Sequence, residues 1–123
     1  MADRLEEFQE FRAELNEEIL GCGHLGMKRF FALDHQAYEP GALGRKNKEL
    51  LGLVASAVLR CDDCITYHLA RCAEEGWKRD EVIDALNVAL IVGGSITIPH
   101  VRRAFRRMRE IEGLRAAKAD SEA

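Results

Sequence analysis

The stretch Cys61-Asp62-Asp63-Cys64-Ile65-Thr66-Tyr67-His68 concentrates the reactive side chains of this chain: two thiols separated by two residues, then an imidazole four residues later. Asp62 or Asp63 suits the first turn of a helix, where carboxylates complement unpaired N–H groups, so the thiols are expected at a helix opening. Three chemistries suit such a pair. The sulfurs are close enough in sequence to close a disulfide with little backbone change. The positive end of the helix favours a thiolate; lowering a thiol pKa from ~8.5 to ~6.5 raises its ionised share at neutral pH about twentyfold. The third use is metal binding. Cys61, Cys64, His68 and Cys72 count four soft ligands for zinc. On one continuous helix, however, the rise from Cys64 to Cys72 is about 12 Å, which zinc–sulfur bonds of ~2.3 Å cannot span. A three-ligand site with water, or with His24, His35 or His100, stays open.

His68 lies one helical turn after Cys64 on the same face, placed to take or return a thiol proton. Glu49 enters by a geometric argument. If the chain reverses between Leu59 and Asp62 and the flanking helices pack antiparallel, residues equidistant from the reversal come abreast, and Glu49 meets His68. A carboxylate directed inward beside Leu50 and Leu51 needs a partner, which His68 would supply. Spacing alone leaves the other reading open, in which Glu49 is solvated in a polar first turn with Lys46 and Lys48. Cys72 and Cys22 read as small packed residues. His24 and His35 read as structural or solvated, and Tyr67 and Trp77 as packing. His100, after Pro99, reads as a capped or surface residue that could line the same pocket.

Helices are expected to carry these side chains. Leu5, Phe8, Phe11, Leu15 and Ile19 recur at steps of three and four, one helical face. A helix over about 27–38 follows, with Phe30, Phe31 and Leu33 as buried candidates, and Pro40-Gly41 marks a turn. The run Leu50 to Leu59 is apolar nearly all round and should be buried on most sides. The thiol helix should run from Asp62 to Glu75 and end on a left-handed Gly76. Asp80-Glu81 opens the next helix, which ends at Gly93-Gly94. The last carries Val101, Ala104, Phe105, Met108 and Ile111 on one face, with Pro99 tolerable only near its start. The tail from about 115 should fray. The fold class is therefore all-α: a single domain over 1–123, core about 27–112, of about six helices around a central antiparallel hairpin. Helices near Leu50–Leu59 and Ala85–Val92 look too apolar for a monomer of 123 residues, so a homo-oligomer is expected.

Composition narrows the function. Eighteen Lys and Arg against 21 Asp and Glu give a net charge of −3, which disfavours a protein built to neutralise nucleic-acid phosphates, so the arginines of the last helix read as a solvated or salt-linked face. The longest apolar run is ten residues, too short to cross a bilayer, and the acidic start lacks the basic flank of a secretory signal. The cytoplasm is expected, where cysteines are free, metal-bound or redox-active rather than a disulfide framework.

The pattern Glu49-x11-Cys61-x2-Cys64-x3-His68 resembles the active-site motif of the alkylhydroperoxidase D-like branch of the carboxymuconolactone decarboxylase family. The flanks Gly44-Arg45-Lys46-Asn47-Lys48-Glu49-Leu50, Gly76, Asp80-Glu81-Val82-Ile83 and Val92-Gly93-Gly94-Ser95 are similar too, and the likeness spans about residues 27–108. The resemblance implies an all-helical subunit assembled into trimers or hexamers that reduces hydroperoxides. It implies Cys64 as the attacking thiol, Cys61 as the resolving thiol, and Glu49 and His68 as the proton relay. No bound cofactor is implied; an external dithiol, lipoyl- or thioredoxin-like, would reduce the Cys61–Cys64 disulfide. The chain departs from that branch at Asp63, where alkylhydroperoxidase D proper has a histidine; a carboxylate there opposes thiol ionisation, which leaves a disulfide or another electrophile open as substrate. The decarboxylase members lack the cysteine pair, so lactone decarboxylation is the weaker expectation. A redox-sensing assembly without turnover is the non-enzymatic alternative.

Overall fold

The computed structural model describes residues 4–122; Met1, Ala2, Asp3 and Ala123, the ends of the expected 1–123 domain, lie outside the described residues. Six α-helices and one short 3-10 turn make up the described chain, with no strand among them. They are α1 (Leu5–Gly21), α2 (Leu25–Ala37), α3 (Arg45–Val58), α4 (Asp62–Glu74), α5 (Arg79–Gly93) and α6 (Ile98–Glu122), with Ser95–Thr97 as the 3-10 turn. The all-α expectation is met. The chain groups into two compact units, Met1–Ala42 and Leu43–Ala123.

The first unit holds α1 and α2. Leu5 and Phe8 are buried, whereas Phe11, on the same expected face, is 60% exposed. Gly23 takes φ +84° between the helices, and His24 caps α2 by accepting from the Met27 N–H at 3.2 Å. His35 pairs with Glu39, one turn on, at 3.3 Å on an exposed face. The expectation that Phe30, Phe31 and Leu33 are buried is not met: Phe30 and Leu33 are 69% and 65% exposed, Phe31 is half-buried, and α2 has no buried residue. A helical apolar stripe marks a face that wants a partner without saying whether one chain supplies it.

The second unit is built on α3 and α4, with α5 against α3 and α6 against α4. The two central helices run antiparallel: Glu49 meets His68 and, further from the turn, the Trp77 indole N–H donates to the Lys46 carbonyl at 2.7 Å. The reversal is a hydrogen-bonded helix stop. Cys61 N–H donates to the Ser56 carbonyl and Arg60 N–H to the Ala57 carbonyl, both at 3.1 Å, which requires the residue between to be left-handed. Arg60 takes φ +60°, a position glycine fills more easily. Helix α4 ends the same way on Gly76, φ +89°, with Trp77 N–H on the Cys72 carbonyl at 3.0 Å, as the sequence led one to expect.

The core consists of Leu53 and Ala57 from α3, Ile65, Leu69 and Cys72 from α4, Val82, Leu86 and Ala89 from α5, and Ala104, Met108 and Ile111 from α6. Helix α3 is not buried on most sides, contrary to the expectation from its composition: Leu51 is 56% exposed, and Leu59, its C-cap residue, 76%. Pro99 sits in the first turn of α6, where its missing N–H costs nothing. The tail does not fray at 115. Helix α6 continues to Glu122, because Leu114-Arg115-Ala116-Ala117-Lys118-Ala119 is almost wholly strong helix formers. No helix among the described residues is long and apolar enough to cross a membrane.

The α5–α6 corner is tight. Gly94 takes φ +81°, the buried Thr97 hydroxyl donates to the Gly94 carbonyl at 2.8 Å, and a methyl group on Gly93 would collide with the Thr97 methyl. Gly93→Ala is therefore expected to destabilise the fold by about 1–3 kcal/mol in urea unfolding, and Thr97→Ser, which removes that methyl, should recover most of the loss in the double variant.

Candidate active site

The two thiols occupy the N-cap and third position of α4. Cys61 is the N-cap residue, and its sulfur accepts from the Cys64 N–H at 3.4 Å. The Cys61 thiol also donates to the Cys64 sulfur, the two Sγ atoms lying 2.9 Å apart. Cys64 is exposed and Cys61 half-buried. Both positions follow from the reversal: the Schellman stop of α3 fixes the Cys61 backbone, and α4 starts at once with Asp62 and Asp63 in its first turn.

Behind them, one turn along α4, lies a buried acid–base pair. Glu49 Oε1 and His68 Nδ1 are 3.1 Å apart, with Glu49 1% and His68 7% exposed. The antiparallel register brings them together as the spacing argument requires, and the solvated alternative for Glu49 is not what the fold adopts. A carboxylate accepts only, so beside an ionised Glu49 the His68 Nδ1 carries the proton that it donates, and Nε2 takes no part in that bond. The Tyr67 ring stands edge-on to His68, centroids 5.1 Å apart.

Sequence reasoning missed Arg71. Its Nε faces Glu49 Oε2 at 3.5 Å, an ion-pair distance without hydrogen-bond alignment, while its NH1 donates to Glu74 at 2.7 Å. Burial works against the Arg71 charge, but Glu74, Tyr67 and Glu49 outweigh it and hold the guanidinium above its ordinary range. The signal was available: His68 and Arg71 are three apart, so one helical face presents both to a single carboxylate.

His100 does reach the dithiol turn, through a partner the sequence reading did not name. Its Nδ1 lies 2.8 Å from Asp62 Oδ1, and the Arg103 guanidinium donates to Asp62 Oδ2 at 3.1 Å. The remaining candidates stay apart. Cys72 is fully buried in the core; burial first, then Glu49 and Glu75, push its thiol up to about 12. Cys22 is exposed at the end of α1. Trp77 is tied to Lys46 by its indole hydrogen bond and by the ammonium 4.4 Å above its ring. A cavity of about 490 Å³ between α4, α5 and α6, floored by Leu69, Val82 and Met108, has none of Cys61, Cys64, His68 or Glu49 in its lining. Among the described residues no three His, Cys, Asp or Glu side chains converge as a metal ion would require.

The sequence model of the carboxymuconolactone decarboxylase family matches residues 24–107. A curated relative from Paracoccus denitrificans, an uncharacterised protein of the cox locus, is 27% identical over 84 residues, 68% of this chain and 76% of that protein. Among solved structures, a Thermotoga maritima member of the same family, described as a candidate for a role in an antioxidative response, superposes with TM-score 0.84 at 54% identity, covering 95% of this chain and 97% of that one. A Legionella pneumophila family protein in its apo form shares the fold, with TM-score 0.80 at 22% identity over 89% of this chain and 98% of its own. The chain belongs to the carboxymuconolactone decarboxylase family.

Cys72 should resist alkylation in the native protein at neutral pH and react once the chain is unfolded, as thiol counting will show. Because its folded-state pKa is raised from 9.0 to about 12, folding gains nothing from it below 9, and stability should fall as pH climbs from about 9 toward 12, where only the unfolded chain releases the proton readily. Arg71→Met should cost about 1–3 kcal/mol in urea unfolding by leaving one Glu49 oxygen without its cation, and the penalty should shrink in the Glu49→Gln background.

Proposed function

We propose that this family member is a dithiol oxidoreductase that reduces hydroperoxides through Cys64. The observation that carries the reading is the approach of the two sulfurs to 2.9 Å at the start of α4, with Cys64 open to solvent. The antioxidative role suggested for the Thermotoga relative agrees with it.

In the first step the Cys64 thiolate attacks the terminal oxygen of the hydroperoxide. The O–O bond breaks, the alkoxide leaves with a proton as the alcohol, and Cys64 becomes a sulfenic acid. Cys61 then attacks that sulfur, the S–O bond breaks, and water leaves as the disulfide forms. An external dithiol, lipoyl- or thioredoxin-like, reduces the disulfide and is itself oxidised to one. His68, its Nδ1 proton held by Glu49, takes the thiol proton at Nε2 and returns it to the leaving oxygen; its place one turn from Cys64 and its buried partner support this role. The chemistry uses no bound cofactor. The exposed apolar residues Val88, Ile91 and Val92 of α5 and Phe30 and Leu33 of α2 fit a homo-oligomer, a trimer or hexamer, and a reduced dithiol fits a reducing cytoplasm.

Asp63 is exposed beside Cys64, and a carboxylate there opposes thiolate formation. A disulfide substrate is therefore the second reading, with the same two sulfurs in the same roles.

One equivalent of hydroperoxide should remove two thiols and about 2 Da per chain, the mass of two hydrogens. Cys64→Ser should abolish the change, and Cys61→Ser should stop at a sulfenic acid about 16 Da heavier. Glu49→Gln should slow thiol loss by about tenfold or more. A dithiol reductant should then sustain turnover. Oxidation once, with no turnover on any dithiol, would leave a redox sensor, and thiols protected until tightly held zinc is chelated would leave a metal site.

A further inference from the structure

The two residues between the cysteines differ. Asp63 is exposed, whereas the side chain of Asp62 is 37% exposed and held at both oxygens by α6: Oδ1 by His100 Nδ1 at 2.8 Å and Oδ2 by Arg103 at 3.1 Å. His100 is largely covered, its side chain 18% exposed. Asp62 follows Cys61 directly and occupies the first position of α4, so its carboxylate competes with a Cys64 thiolate for the same positive helix end. Left alone, that charge would make the turn a poor place to ionise a thiol.

We infer that His100 and Arg103 are positioning residues of the dithiol site, which hold and neutralise the Asp62 carboxylate so that Cys64 remains reactive. The division of labour follows from chemistry. The Arg103 guanidinium is permanently charged and cancels Asp62, and the His100 N–H fixes the other oxygen against α6. The other charges around the turn have different assignments. Glu49 from α3 is taken up by His68 and Arg71, Arg60 is exposed at the reversal, and Asp63, exposed to water, opposes the thiolate through a high-dielectric surrounding that weakens its effect. Asp62 is thus the anion beside the sulfurs whose effect α6 controls.

This inference rests on the proposed chemistry only in taking Cys64 as the reacting thiol, and its test uses no peroxide. The probe is iodoacetamide alkylation of the full chain in a Cys61→Ser background, with Cys64 followed by peptide mass at fixed pH near neutrality. Arg103→Gln should slow Cys64 alkylation about threefold, a unit charge acting through partly exposed surroundings. Asp62→Asn should speed it by a similar factor, and Arg103→Gln combined with Asp62→Asn should return it to within about twofold of the parent. His100→Ala should slow it, and that loss should vanish in the Asp62→Asn background. A merely structural clamp predicts slowing from Asp62→Asn as well. That result, unchanged rates in all variants, or equal losses from Arg103→Gln and His100→Ala with and without Asp62 would overturn the inference. A wild-type chain that shows this pattern but consumes no peroxide loses the peroxidase reading and keeps this one.

Discussion

A carboxylate with 1% exposure has to be answered by its neighbours, and Glu49 is answered from a single helix. His68 meets one oxygen and Arg71 the other, three residues apart on one face of α4. Slipping α4 by a residue along α3 would aim that face elsewhere and leave the charge uncompensated, a penalty of several kcal/mol. The pair therefore fixes the register of the hairpin while it fixes the tautomer of the histidine. The same geometry sets how far the dithiol lies from His68, because Cys64 precedes His68 by one turn of the same rod. Position and protonation are one constraint here.

The cysteine turn receives its charges from two sides. From α3 comes Glu49, buried and paired with His68 of α4; from α6 come the His100 and Arg103 contacts to Asp62, partly exposed. Helix α4 is the element both act on, and its N-terminal turn can be so short because α3 stops in a hydrogen-bonded motif that fixes the Cys61 backbone. Arg60 bears the left-handed conformation this demands, at a modest cost for a residue with a Cβ. Thr97 and Gly93 do the corresponding work at the other corner, where a single methyl group has no room.

Much of this was legible in order along the chain. Spacing placed Cys61, Cys64 and His68 on one helix start, the midpoint argument brought Glu49 to His68, and Gly76 and Gly94 marked helix ends that the backbone angles bear out. Arg71 was missed because an arginine in a charged stretch looks solvated; its role appears only when the carboxylate opposite is known to be buried. The Asp62 contacts join residues 38 and 41 positions apart, and no local pattern encodes such a distance. Small and polar residues beyond 115 suggest a loose end, yet alanine, lysine and arginine are also what an exposed helix needs, and α6 is helical to Glu122.

Burial was the least legible property, for a physical reason visible in α5. Val82, Leu86 and Ala89 form the stripe that enters the core, while Val88, Ile91 and Val92 form another that stays more than half exposed. Both repeat at helical spacing and both are apolar, so sequence periodicity cannot rank them. Leu51 on α3 and Leu59 at its C-cap, and Phe30 and Leu33 on α2, repeat the same situation. An aliphatic side chain held in water gives up about 1.5–3 kcal/mol relative to burial, and faces of this kind mark contact surfaces on soluble proteins. Of these helices, α3 belongs to the hairpin and α5 to the corner with α6. A second copy covering them, as in the proposed homo-oligomer, would stiffen the elements that position the dithiol.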